Sequence, residues 1–217
     1  YFLIFHNYHI TDKPIYYRRL IILLMRIIKK FPKDEKGEFV SRVFDSIITK
    51  GDYHLPFEQL EFHLRDSNTS QVDDEKALIC IDYNNPLIQE RDQRGVNTLI
   101  RHELFRLMFK MNLPRAVEDV IIGREMIKRG FGDDIFYMYY NRILKMNVSN
   151  VEEYIKINLP WIIFHEQDKY NSELLKKIVG KVCKKKYPET KKLFDILCGI
   201  SPKNVHEAAS IYGKISR

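Results

Sequence analysis

The sequence predicts a predominantly helical α+β protein, with a small β-sheet followed by a helical half. Two short segments between positions 57 and 83 alternate apolar and polar residues or are rich in β-branched ones, as strands are. From Gly95 onward the apolar residues recur at helical spacing. Hydrophobic residues make up 45% and charged residues 30% of the chain, the balance of a folded domain rather than a disordered one. At 217 residues, with no Gly-, Ser- or Pro-rich divider, one domain over 1–217 is the simplest count. Within it, 1–55 reads as N-terminal helices, 56–146 as the core and 147–217 as a helical C-terminal part.

Residues 14–31 open with Pro14 at a first helical position and continue apolar around most of the circumference, which predicts a buried helix. A second helix is expected over about 37–50, stopped by Gly51. Phe57 to Arg65 reads as a half-exposed strand, SNTSQVDDE as a polar turn, and Ala77 to Tyr83 as a buried strand paired with the first. Helices follow at about 96–111, 115–129, 133–146, 150–158, 171–186, 189–199 and 202–215, with Pro114, Pro188 and Pro202 at or near their starts.

Three cysteines, Cys80, Cys183 and Cys198, lack CxxC spacing and sit in apolar or helical contexts, which reads as buried thiols in a reducing cytoplasm. A Cys183–Cys198 disulfide is the rarer alternative. The sequence opens at Tyr1 without a methionine, which leaves a preceding targeting segment open. The longest apolar run, Leu20 to Ile28, is nine residues and is interrupted by Arg26, about half of what a membrane span needs. Net charge is +7, and the excess collects at Arg18-Arg19, Lys29-Lys30 and the run Lys181, Lys184, Lys185, Lys186, Lys191, Lys192. Lys184, Lys185 and Lys186 head the candidates for a polyanion site on the C-terminal helices. A solvated helix face is the plainer reading, since no RNP, KH or zinc-finger pattern accompanies the charge.

The chemistry concentrates between Thr98 and Tyr140. His102 and Glu103 begin an H-E-x-x-R pattern on a helix, so that positions 102 and 106 share one face. The next helix opens with Glu118 and Asp119. A β-like segment, a loop, a helix bearing His-Glu and a second helix opening with an acidic pair resemble zincin metallopeptidases over about residues 57–145, in particular intracellular forms with an acidic third ligand in an "ED" motif. That resemblance implies a zincin-like fold with His102 as first zinc ligand, Glu103 as general base, and Glu118 or Asp119 as third ligand. It departs at Arg106, which stands where the second histidine belongs. A guanidinium has no lone pair to give a metal and stays charged, so it would repel zinc.

Three outcomes stay open at this point. Arg106 can replace the metal's charge by binding Glu103, Glu118 and Asp119, leaving a metal-free, inactive site that binds a protein or peptide. A working zinc peptidase could complete its ligands with another residue such as His63 or His165. The pattern could also be a coincidence on an amphipathic helix, with His102 and Glu103 facing solvent while Leu104, Phe105, Leu107, Met108 and Phe109 pack inward. The rival of a different class is a basic helical module bound to RNA or the ribosome. Tyr137, Tyr139 and Tyr140 could bring a phenol to the cleft, although a buried aromatic cluster is the plainer role. His6, His9, His54, His63 and His206 lack ligand spacing and are surface or core residues by default.

Overall fold

The computed structural model describes residues 25–50, 55, 57–66, 69–72, 76–109 and 111–216, with the backbone alone over 69–72. The 14–24 part of the helix expected over residues 14–31, the stop at Gly51 and the roles of Arg18, Arg19, His6, His9 and His54 lie outside those residues. The fold is α+β and predominantly helical. Contacts divide the chain after Asn84 into two compact units, and the division falls inside the 56–146 stretch read from sequence as one core.

The first unit is built on a mixed sheet. Strand β1 (Arg26–Lys30) precedes helix α1 (Glu35–Thr49), followed by β2 (Gln59–Arg65), β3 (Thr69–Val72) and β4 (Lys76–Asp82). The order is β1-β2-β4-β3, with β1, β2 and β4 parallel and β3 antiparallel on the edge beside β4. Two expectations are corrected here. Residues 26–30 extend the sheet instead of ending a helix, because Ile27 and Ile28 are β-branched and β2 offers a free edge with Leu60 opposite Ile27. The expected turn SNTSQVDDE contains β3, whose polar residues carry no periodic signal; Ser70 pairs with Ile79 by register alone.

Helix α1 starts where Asp34 accepts hydrogen bonds from the Lys36 and Gly37 amides at 3.0 and 2.8 Å, a side-chain N-cap. Its inner face, Val40, Val43, Phe44, Ile47 and Ile48, follows helical spacing and is buried. Gly37 admits no side chain, since a Cβ there would stand 2.0 Å from the Pro32 carbonyl oxygen. Phe44 and Phe31 both pack on Phe62 of β2, with ring centroids 4.7 and 5.0 Å apart.

The second unit is helical: α2 (Pro86–Gln89), α3 (Gln93–Phe109), α4 (Arg115–Met126), α5 (Gly132–Lys145), α6 (Val151–Phe164), α7 (Lys169–Val182), α8 (Lys191–Cys198) and α9 (Val205–Ile215). Helix α4 passes into α5 through a wide turn in which Gly130 takes φ +89°, a conformation that favours glycine. Helix α6 corrects the expected end at 158, for it runs through Pro160 to Phe164. The lost amide bond is outweighed there by burial of Leu159, Trp161, Ile162, Ile163 and Phe164. Helix α7 corrects the expected end at 186: it stops at Val182, and 183–187 have no regular secondary structure. The thiols are free, but burial holds for Cys80 alone; Cys183 and Cys198 are half-buried at helix ends.

Arg124 of α4 ties this bundle together. It is buried, and its Nη2 donates to the carbonyls of Ile162, Leu197 and Cys198 at 3.1, 3.1 and 2.8 Å. These oxygens close α6 and α8, where the partial negative ends of the helices meet a fixed cation. Gly123 beside it lets α4 approach α6, since a Cβ would lie 2.8 Å from Ile163 Cγ2. No helix among the described residues is long and apolar enough to cross a membrane.

Candidate functional site

Helices α3 and α4 bring His102, Glu103, Arg106, Glu118 and Asp119 into one buried cluster. Glu103 and Arg106 lie one turn apart on α3, and Arg106 Nη1 donates to Glu103 Oε2 at 2.5 Å. Arg106 Nη2 donates to Asp119 Oδ1, and Nε faces Glu118 Oε2 at 3.3 Å. Three nitrogens of one guanidinium thus address three carboxylates, each nitrogen a different one. All of these side chains are well shielded; Arg106 is 10% exposed and Glu103 3%. His102 and Glu103 are therefore not a solvent-facing pair, which corrects that alternative: the inner face of α3 is wide enough to take them with Leu104, Phe105 and Leu107, while Met108 and Phe109 are only half-buried.

Local folding explains why α4 presents its acids inward. Pro114 precedes the first turn, and Glu118 Oε1 reaches back to accept from the Leu113 amide at 3.4 Å, so one oxygen closes the helix start and the other faces Arg106. Arg115, unremarked in the sequence reading, puts Nη2 3.1 Å from Glu103 Oε1. Both oxygens of Glu103 are consequently held by guanidinium groups. The only sequence signal for Arg115 is its place at the first helical position, three residues before Glu118.

The electrostatics follow from burial and pairing. Burial opposes the charge of Arg106, but Glu103, Asp119 and Glu118 outweigh it and hold its pKa above the usual value. Burial raises the Glu118 carboxyl above its usual range against the pull of the Leu113 amide and Arg106. His102 is pushed down by burial and by Arg106, against the opposing charges of Asp119 and Glu103, so its neutral form is favoured. Its Nε2 lies 3.8 Å from Asp119 Oδ1 and has no hydrogen-bond partner among the described residues. Tyr139 of α5 is buried, and burial together with the nearby Asp119 charge raises its phenol. Of the three tyrosines in question it is the buried one. Tyr137 instead takes the Arg94 guanidinium over its ring at 4.8 Å, and Tyr140 stacks on Phe136.

The remaining candidates, His63 and His165, have partners of their own. His63 lies on β2 of the first unit, buried, with Nε2 2.8 Å from Glu61 Oε2. His165 is exposed at the end of α6, edge-on to Trp161, and His206 is exposed on α9. Among the described residues no group of three or more His, Cys, Asp or Glu side chains is arranged to hold a metal ion. The residues present do not fit zinc: the positive charge among Glu103, Glu118 and Asp119 belongs to Arg106, which cannot ligate.

No family model, no curated protein and no solved structure matches the chain.

The arrangement is a closed charge network. It can hold two helices in register; Arg115 is its one half-exposed cation, while Glu103 stays shielded as long as Arg106 and Arg115 hold it. Lys184, Lys185 and Lys186 take no part in it; they are exposed on the segment that follows α7.

Proposed function

We propose that this chain is a zincin-like, metallopeptidase-related protein that has exchanged catalysis for binding, and that it serves in the cytoplasm as a protein- or peptide-binding module. The observation that carries the reading is Arg106, held by Glu103, Glu118 and Asp119 where a catalytic metal would need an imidazole and open coordination. A second support is Glu103 itself. A general base needs a free oxygen to take a proton from water, and both of its oxygens are already paired with guanidinium groups. His102, Glu118 and Asp119 remain as the residues that would ligate zinc if Arg106 were displaced.

Elemental analysis of the purified chain, a zinc titration followed by calorimetry, and a peptidase assay with added zinc test this reading. The expected result is no stoichiometric zinc, no saturable zinc heat and no hydrolysis. One equivalent of zinc with peptide cleavage would overturn it in favour of an active peptidase with an atypical ligand set.

A further inference from the structure

One stretch carries a charge equal to the chain's whole net charge. Residues 176–192 contain eight lysines, at 176, 177, 181, 184, 185, 186, 191 and 192, and a single carboxylate, Glu189. Taking these from the chain's 36 basic and 29 acidic residues leaves 28 of each, so seventeen positions hold the whole +7. All eight lysines are exposed. Elsewhere several helical cations pair within a turn, as in Arg42 with Glu38, Arg129 with Glu125 and Lys156 with Glu152. Here Lys192, with Glu207, is the one lysine of the eight that has a carboxylate partner among the described residues.

This placement costs stability in part. Lysines 176, 177 and 181 suit the C-terminal half of α7, but Lys191 and Lys192 open α8, whose first turn has no acid and whose dipole repels cations. The strip is nonetheless fixed. Tyr187 donates to the Ser149 carbonyl at 3.0 Å and packs on Tyr154, Lys185 donates to the same carbonyl at 3.2 Å, and the Cys183 thiol donates to the Lys185 carbonyl at 3.2 Å. Tyr170 precedes Lys177 and Lys181 by seven and eleven positions, so the three share one face of α7, and Tyr170 is 78% exposed. Glu173 also lies toward that face and would oppose an anion there.

We propose that this strip binds the backbone of single-stranded RNA, with Tyr170 as a stacking platform beside it. The 183–187 segment offers its lysines outside any helix, not on a helix shaped for a duplex groove, and an exposed ring in register with cations suits unpaired bases. A membrane surface is disfavoured because, within 176–192, Val182 is the one exposed large apolar side chain. The site is independent of the Arg106 cluster.

The test is anisotropy of a labelled oligouridylate of about 12 nucleotides with the full chain. Log affinity should fall with log salt with a slope of about −3 to −5, from roughly −0.7 per phosphate neutralised. Lys184→Glu, Lys185→Glu and Lys186→Glu together should weaken binding about 100-fold and flatten the slope by about 2. Tyr170→Ala should weaken it about 5- to 100-fold with the slope unchanged. Lys33→Glu, Lys50→Glu and Lys128→Glu together change net charge equally at exposed sites outside the strip, and should change affinity less than about threefold. Equal weakening by both triple variants overturns the proposal, as does strip-dependent binding to phosphatidylserine vesicles without binding to the oligonucleotide.

Discussion

Arg106 of α3 donates to the Asp119 carboxylate of α4, joining the two helices through a charged pair whose side chains are only 10% and 16% exposed. Glu103 and Glu118 complete the ring around the same guanidinium. A cation so enclosed has given up most of its hydration, so it depends on the carboxylates around it for counter-charge.

Arg106→Leu should therefore destabilise the protein by about 3 to 5 kcal/mol, because the buried carboxylates lose their counter-charge. Urea unfolding measures this. Adding Glu103→Gln and Asp119→Asn to Arg106→Leu should restore much of the loss. No recovery in the triple variant would mean that the cost lies in packing around Leu104 and Leu107 rather than in uncompensated charge.

The pH dependence has two opposed parts. His102 is held below its ordinary value of 6.5, so the unfolded chain takes up a proton that the folded chain resists. Its contribution is full above about pH 6.5 and is lost as pH falls, by up to about 1.4 kcal/mol per pH unit. Glu118 is held above its ordinary value of 4.5, so its contribution is present below that value and is lost as pH rises through the folded pKa. Thermal melts between pH 7.5 and 5 should show falling stability, less so in His102→Gln. His63 is also pushed down by burial, so His63→Gln should flatten the curve as well. A Glu118→Gln variant should gain more stability than the parent on going from pH 4.5 to 7, because it lacks the opposing Glu118 contribution.

Arg124→Lys should destabilise by about 2 to 4 kcal/mol, since the shorter lysine side chain holds its ammonium back from the carbonyls of Ile162, Leu197 and Cys198 that Nη2 reaches. Hydrogen exchange should locate the loss at the C-terminal turns of α6 and α8. Uniform loosening of α4 instead would point to a packing defect.

How far such features can be read in advance depends on whether the signal is local. The His102, Glu103 and Arg106 spacing lies within one helical turn, and Glu118 with Asp119 opens the next helix, so both were legible. Arg124 was legible only in hindsight: it stands seven and four positions after buried Val117 and Val120, on the inner face of α4, but its partners are 38 to 74 residues away. Strand β1 was hidden because Leu20 to Ile28 is apolar at every period, and only pairing with Gln59–His63 decides it. Strand β3 owes its form to its neighbour β4, and α6 continues past Pro160 because burial outweighs a propensity. Tyr139 differs from Tyr137 and Tyr140 only in which face of α5 it occupies.

The last prediction separates a lost metal site from a chance likeness. In the parent, His102 Nε2 already lies 3.8 Å from Asp119 Oδ1, and Glu118 and Asp119 both face residue 106. Replacing the guanidinium with an imidazole removes the cation and supplies a lone pair on the same helix face, one turn from His102. Arg106→His should thus bind zinc through His102, the new imidazole and one of the two acids. The neutral imidazole leaves the carboxylates in need of a counter-charge, which zinc supplies, so the apo variant should be less stable than the parent and gain more from the metal. Zinc at 100 times its dissociation constant should raise stability by about 2.7 kcal/mol. Arg106→Gln, equally short of the cation but a poor ligand, should lose stability in the same way and gain nothing from zinc. A folded Arg106→His variant whose melting temperature ignores zinc would leave the His-Glu and Glu-Asp placement as coincidence, while equal responses from both variants would locate the zinc outside this cluster.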